Sequence, residues 1–143
     1  MGTTGKRCYC RDENGRPLGQ KCPKLRRDNG TWSRHHGVWY YQLELPPQAD
    51  GRRRRPLRRA GFDSQLAAEA ELSQACELLA LGADDEQVRI EIADLIQRTV
   101  ARDRALPDVE TVRRKVRTRQ DLGREITVGE WLEEFLKRKR RIE

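Results

Sequence analysis

The first 36 residues hold Cys8, Cys10, Cys22, His35 and His36 in a stretch rich in glycine and arginine, with almost no apolar periodicity. Such a segment cannot bury enough apolar surface to hold a shape by itself. It needs another restraint, and thiolates with a neutral imidazole are the ligand set of a closed, structural tetrahedral zinc site. The expected ligands for Zn2+ are Cys8, Cys10, Cys22 and His36, with His36 preferred to His35 because it adjoins the next element. A single residue separates the first two cysteines, where two to four is the usual spacing. The spacing therefore leaves open a redox pair, or three unrelated reduced thiols in a flexible arm. Cys76 falls within an expected helix and reads as a small buried hydrophobe.

Composition narrows the class. Leu, Ile, Val and Phe make up 29 of 143 residues, which calls for a small core and some extended or mobile segments. The longest uncharged apolar run, Leu78 to Ala83, is far short of the ~20 residues that span a bilayer, and MGTTGKRCYC lacks the apolar stretch of a signal peptide. The expectation is a soluble, cytoplasmic, nucleoid-associated protein with no membrane partner. Charge is unevenly spread. Residues 1–61 carry 15 basic and 5 acidic side chains, a net +10, whereas residues 62–143 carry 15 and 18, a net −3. A basic half joined to a slightly acidic half points to a polyanion-binding module with a helical companion.

Four zones follow along the chain: a Cys/His-rich segment over 1–36, a sheet-plus-helix unit over 37–82, a helical connection over 83–125, and a last helix over 126–143. Residues 37–45 are dense in β-formers and end at Pro46-Pro47. Alternation places Trp39, Tyr41, Leu43 and Leu45 on one face, and Val38, Tyr40, Gln42 and Glu44 on the other. Ala49-Asp50-Gly51 signals a turn, and Arg52 to Ala60 can return as a second strand. On it Leu57 faces inward and Arg54, Pro56 and Arg58 outward, with Pro56 at an edge or a bulge. Ser64 is a candidate N-cap for a helix over 65–81 ended by Gly82. Asp84 or Asp85 opens a second helix to about Arg104, with Val88, Ile92, Leu95, Ile96 and Val100 at helical spacing. Pro107-Asp108 opens a third, apolar at Val109, Val112 and Val116. Thr127 to Glu130 fits a capping box before a stripe of Trp131, Leu132, Phe135 and Leu136. That stripe lacks an evident cover, so the chain reads as the front of a longer protein. The fold class is α+β: a small two- or three-stranded antiparallel sheet on a helix, a zinc-binding segment before it, and further helices after it.

The order Cys8-x-Cys10, Cys22-Pro23-Lys24-Leu25, His36-Gly37-Val38-Trp39-Tyr40-Tyr41, Leu43-Glu44-Leu45-Pro46, Asp50-Gly51-Arg52-Arg53 and Ala60-Gly61-Phe62 resembles the start of actinobacterial phage and mobile-element integrases of the tyrosine recombinase family. The resemblance continues through Leu106-Pro107-Asp108-Val109 to Ile126-Thr127-Val128-Gly129-Glu130-Trp131-Leu132-Glu133-Glu134-Phe135, which is similar to the first helix of that family's core-binding domain. It implies an N-terminal module of three strands on one helix that binds arm-type sites of attachment DNA. It also implies association with further copies or other recombination proteins. The family's chemistry uses a tyrosine nucleophile with activating arginines and histidine in a C-terminal domain. Here every Tyr and His lies at or before Tyr41, so no catalysis is expected of this chain.

Independently of the resemblance, a β-ribbon fits the major groove of B-DNA and can present one face to the base edges. The face opposite the Trp39 stripe offers Tyr40 and Gln42, with Arg54 and Arg58 from the return strand as readers. Arg52, Arg53, Arg55 and Arg59 would contact phosphates. Two other readings compete. One is a stand-alone zinc-ribbon-like nucleic-acid-binding regulator, with Trp39 and Tyr40 as stacking platforms for RNA if both are exposed. The other is a protein-interaction piece that docks through Trp131 and Phe135.

Overall fold

In the computed structural model, which describes residues 2–122 and 128–142, the chain is α+β, with a four-stranded antiparallel sheet and four helices. The strands are β1 (Gly2–Arg11), β2 (Pro17–Gly19), β3 (Val38–Leu43) and β4 (Leu57–Phe62), in the order β2-β1-β3-β4. The helices are α1 (Gln65–Ala80), α2 (Glu86–Asp103), α3 (Val109–Arg117) and α4 (Val128–Ile142). None of the described helices is long and apolar enough to cross a membrane.

β3 is the strand that its alternation predicts. Trp39, Tyr41 and Leu43 are buried while Val38, Tyr40 and Gln42 are half-exposed. β4 differs from the expected 52–60. It begins only at Leu57, after Pro56, whose ring cannot donate to a ladder. Residues 52–56 form a connection instead, so the period of two does not run through them and the expected outward facing of Arg54 fails. The irregularity in the ladder falls later than Pro56, between the Trp39–Phe62 and Tyr40–Ala60 pairs. Gly61, at φ +94°, is the extra residue, a backbone conformation that suits glycine.

β1 and β2 add two strands from the Cys/His-rich segment. β1 pairs along β3 from Gly2–Leu43 to Arg7–Val38. Its inward row, Gly2, Thr4, Lys6 and Cys8, holds no large apolar side chain, so the strand rests on its ladder and on contacts made by longer residues around it. Lys6 is buried, donates to the carbonyl of Ser33 and lies 5.6 Å from the ring centre of Trp39. Trp39 meets Trp32 edge-on at 5.4 Å, and the Arg26 guanidinium covers Trp32 at 4.1 Å. Desolvation depresses the Lys6 pKa, and the carbonyl and the ring face partly replace the lost water.

The helices start at capping side chains. Ser64 accepts from the Ala67 amide, Asp85 from those of Gln87 and Val88, and Asp108 from that of Thr111. The capping box at Thr127 lies outside the described residues. α1 lays Ala75, Leu78 and Leu79 against Tyr41, Leu43, Leu45 and Leu57. Ile92, Ala93 and Ile96 of α2 and Val112 of α3 complete the same core, so residues 83–122 pack with the sheet and α1 around one centre. A second, smaller cluster of Cys8, Cys22 and Leu25, flanked by Cys10, Leu18 and Trp32, sits at the far end of β1.

Arg54 ties the connection to α2. Its side chain is 2% exposed. It donates to the Pro46 carbonyl (2.8 Å), Asp94 Oδ1 (2.5 Å), Gln97 Oε1 (2.8 Å) and the Ile90 carbonyl (3.3 Å). Truncation would strand two carbonyls and open a hole, whereas its carboxylate partner is half-exposed and can rehydrate. Arg54→Met is expected to cost about 2–3 kcal/mol and Asp94→Asn about 1 kcal/mol in urea unfolding. The opposite ranking would mean that the ion pair, rather than the carbonyl contacts and packing, carries the site.

Candidate metal centre and nucleic-acid interface

The sulfur cluster grows out of strand geometry. Residues two apart on a strand point to the same face, so the Cys8-x-Cys10 spacing, unusual for a knuckle, brings both thiols together on β1. Cys22 arrives from the turn after β2, where Pro23 opens a short 3-10 turn to Leu25. His36 emerges immediately before β3, whose first residue pairs with Arg7. The ligand atoms of Cys8, Cys10, Cys22 and His36 all lie within 4.8 Å of one another and could hold a metal ion. His36 Nε2 is 3.5 Å from both Cys10 Sγ and Cys22 Sγ. The edge of a tetrahedron with ordinary metal–sulfur and metal–nitrogen bonds is about 3.6 Å, so these separations already suit a four-coordinate ion. His35 is exposed and outside the cluster. Cys76, expected to be buried, is also exposed, because α1 turns Ala75, Leu78 and Leu79 to the core and carries position 76 round to solvent.

The thiols differ electrostatically. The Cys10 thiol is raised, first by its hydrogen bond to Cys8 and then by burial. At Cys22 burial pushes upward most, but the Lys24 backbone N–H, bonds from Cys8 and Cys10 and the Lys24 charge together outweigh it and hold this thiol low. Cys22 thus offers a thiolate more readily than Cys10.

Away from the helices, the sheet presents its outer face. Following the ladder, Thr3, Gln42 and Arg58 form one row, and Gly5, Tyr40 and Ala60 the next. Arg58 Nε donates to Gln42 Oε1 at 2.8 Å, so the two expected readers are joined. The Tyr40 ring lies across Gly5, where an added Cβ would stand 2.7 Å from the Tyr40 hydroxyl, and that hydroxyl accepts from Gln20 Nε2. Beside it opens a groove of about 560 Å³ lined by Arg7, Gln20, Lys21, Tyr40, Arg58 and Arg59 together with β2 and Ala60. None of the residues lining it is acidic. Arg7, Gln20 and Lys21 were missed by reading the sequence, because the pairing of β1 was not legible there.

The basic run divides. Arg52, Arg53 and Arg55 are exposed on the connection, the first two beside Asp50 (3.5 Å) and Glu44 (3.4 Å). Arg54 is a correction: expected on the reading face, it is buried against α2. Arg59 is another. It faces α1, where it grips Glu71 through two bonds (3.1 and 3.3 Å) and donates to the Arg104 carbonyl (2.6 Å). Burial, and then the Glu71 carboxylate, drive the nearby Tyr41 hydroxyl far above its ordinary pKa, so it stays protonated.

The fold and site together define an α+β protein whose sheet bears a metal-competent Cys3His cluster at one end and a polar, cation-lined outer face. No family model, curated protein or solved structure matches the chain.

Removing His36 should cost the cluster its nitrogen ligand while His35 is dispensable. Metal analysis after purification without chelator should find about one ion per chain in wild type and in His35→Ala, and little in His36→Ala. Equal retention by both variants would place the fourth ligand elsewhere.

Proposed function

We propose that the chain binds duplex DNA through the outer face of its sheet, as the arm-site-binding part of a tyrosine-recombinase integrase would, and that the Cys3His cluster holds zinc. The observation that carries the DNA reading is the joined pair Gln42–Arg58, centred on an uncovered antiparallel face whose other side is packed on α1. A guanidinium paired with an amide offers donors and an acceptor side by side, the kind of set that reads purine edges in the major groove. Arg52, Arg53 and Arg55, on the connection leading into β4, supply charge for phosphates. The integrase assignment rests on the ordered motifs from Cys8 to Phe135. Its consequence is a binding role for this face, whose groups would position a duplex.

Zinc is favoured by the donor set. Three thiols and an imidazole gathered within 4.8 Å of one another suit a d¹⁰ ion without geometric demands of its own. The ion would tie β1, the turn after β2 and the entry to β3 into one unit, the restraint that a segment with few apolar residues lacks.

Two measurements test these readings. Binding should favour a duplex over either of its single strands, with an affinity that falls steeply with salt. On a duplex selected from a random pool, Gln42→Ala should cost roughly 1–3 kcal/mol, and on random duplex very little. Equal losses on both would reduce the face to an electrostatic clamp. For the metal, EDTA should lower the melting temperature of the protein as purified. Because the thiols must shed their protons to bind, zinc should also be released as pH falls. Unchanged melting in EDTA would overturn the zinc reading.

A further inference from the structure

The groove beside Tyr40 adjoins the Gln42–Arg58 pair and shares Arg58 with it. Besides Arg58 and Arg59 of the arginine run, its lining includes Arg7 and Lys21, which lie outside that run. Arg7 rises from the middle of the sheet, and its Nε is buried with no hydrogen-bond partner among the described residues. A buried guanidinium nitrogen left unpaired is costly unless something absent from the protein alone accepts its proton. Lys21 lines the same groove. Gln20 donates to the Tyr40 hydroxyl, which leaves the phenol proton free for another acceptor. Cationic side chains, an orphaned N–H and a phenol hydroxyl line a space with no carboxylate. A lining rich in donors and positive charge is the complement of an anionic group that only accepts.

Its position says which acceptor. The Tyr40–Ala60 row is two residues along the strands from the Gln42–Arg58 row, a distance of about 7 Å. The major groove is about 12 Å wide, so a strand row at its floor has backbone phosphates about 6 Å to either side. A phosphate therefore falls at the level of Tyr40 when Gln42 and Arg58 meet base edges.

We infer that the groove lined by Arg7, Gln20, Lys21 and Tyr40 is the seat of one DNA phosphodiester, fixing the register of the sheet on the duplex. This inference rests on the duplex-DNA reading and adds to it the residues that grip the backbone. The turn that carries Gln20 and Lys21 is closed by the Lys21 amide donating to the Leu18 carbonyl (3.0 Å) and leads directly into Cys22 of the Cys3His cluster. Phosphate contacts of this kind orient a protein without reading sequence.

The probe is a 20-base-pair duplex of random sequence, titrated at several salt concentrations with the zinc-loaded protein. Lys21→Gln alters an exposed side chain and should leave metal content and melting unchanged. It should weaken binding roughly three- to tenfold and reduce the salt slope by about one. Arg7→Gln should do the same, and is compared only if its melting temperature is within a few degrees of wild type. Arg117→Gln, on α3 behind the sheet, should change neither quantity. If wild type binds the duplex steeply but Lys21→Gln keeps its full affinity and slope, the groove is not the seat and the wider DNA reading survives. If wild type itself shows no salt-dependent duplex binding, both fall together.

Discussion

The hydrogen-bonded ladder between β1 and β3 positions both the cluster and the outer face. β1 lies second in the sheet, with β2 on one side and β3 on the other, yet its inward side chains are Gly2, Thr4, Lys6 and Cys8. Hydrophobic burial cannot be what keeps such a strand in place. Its backbone groups must be paired because they are covered, and β3, whose own inner face is fastened to α1 by Tyr41 and Leu43, supplies the partner. The contacts of β1 are accordingly of unusual kinds. Gly2 is so close to Leu72 of α1 that a Cβ would stand 2.3 Å from its Cδ1, and Lys6 runs its stem beneath Trp39 to a carbonyl. From that ladder the far end of β1 projects Cys8 and Cys10, the start of β3 brings His36 alongside, and the turn after β2 returns Cys22. The same register sets Arg7, Tyr40 and Gln42 on the opposite surface. Metal-competent cluster and outer face are thus two ends of one pairing.

Two cores share this sheet and are held in different ways. The larger one is an ordinary apolar contact between an amphipathic sheet face and three helices. The smaller one has Leu25 as its single large buried aliphatic residue, and its stability depends on sulfur, on a tryptophan pair and on two cations stacked against those rings. Cation–ring contacts of this sort contribute about 0.5–2 kcal/mol each, which is little for a segment of some thirty residues. A bound ion is the natural supplement, and it would act on the part of the molecule that most lacks apolar contacts.

The arginine run 52–59 illustrates how one residue type is assigned to unlike tasks. Arg58 points outward and pairs with Gln42, Arg54 is drawn under the connection into α2, and Arg59 clamps Glu71 and the end of α2. Each can be accommodated because a guanidinium is planar, always charged and able to satisfy several acceptors at once. A lysine at position 54 could not reach four partners. Of the net +10 read from the first 61 residues, part is therefore spent on internal structure, and the cations that face solvent on the sheet come partly from β1 and the turn before Cys22.

Much of this was legible without coordinates, and the reason is locality. Helix caps at Ser64, Asp85 and Asp108, the stripes of α2 and α3, and the alternation of Trp39, Tyr41 and Leu43 are set by neighbours within a few residues, so sequence pattern alone determines them. The clustering of Cys8, Cys10, Cys22 and His36 was likewise readable, from donor chemistry, although the one-residue spacing makes sense only once Cys8 and Cys10 share a strand face. What the tertiary structure alone decided involves partners far along the chain. β1 carries no apolar period because its pairing is made by backbone atoms, which every sequence possesses. Arg54 finds acceptors some 40 residues away, and Gln20 and Lys21 come to face Tyr40 only because the turn before Cys22 folds back across the sheet. Local physics writes the elements into the sequence; backbone pairing and distant polar partners are properties of the assembled fold.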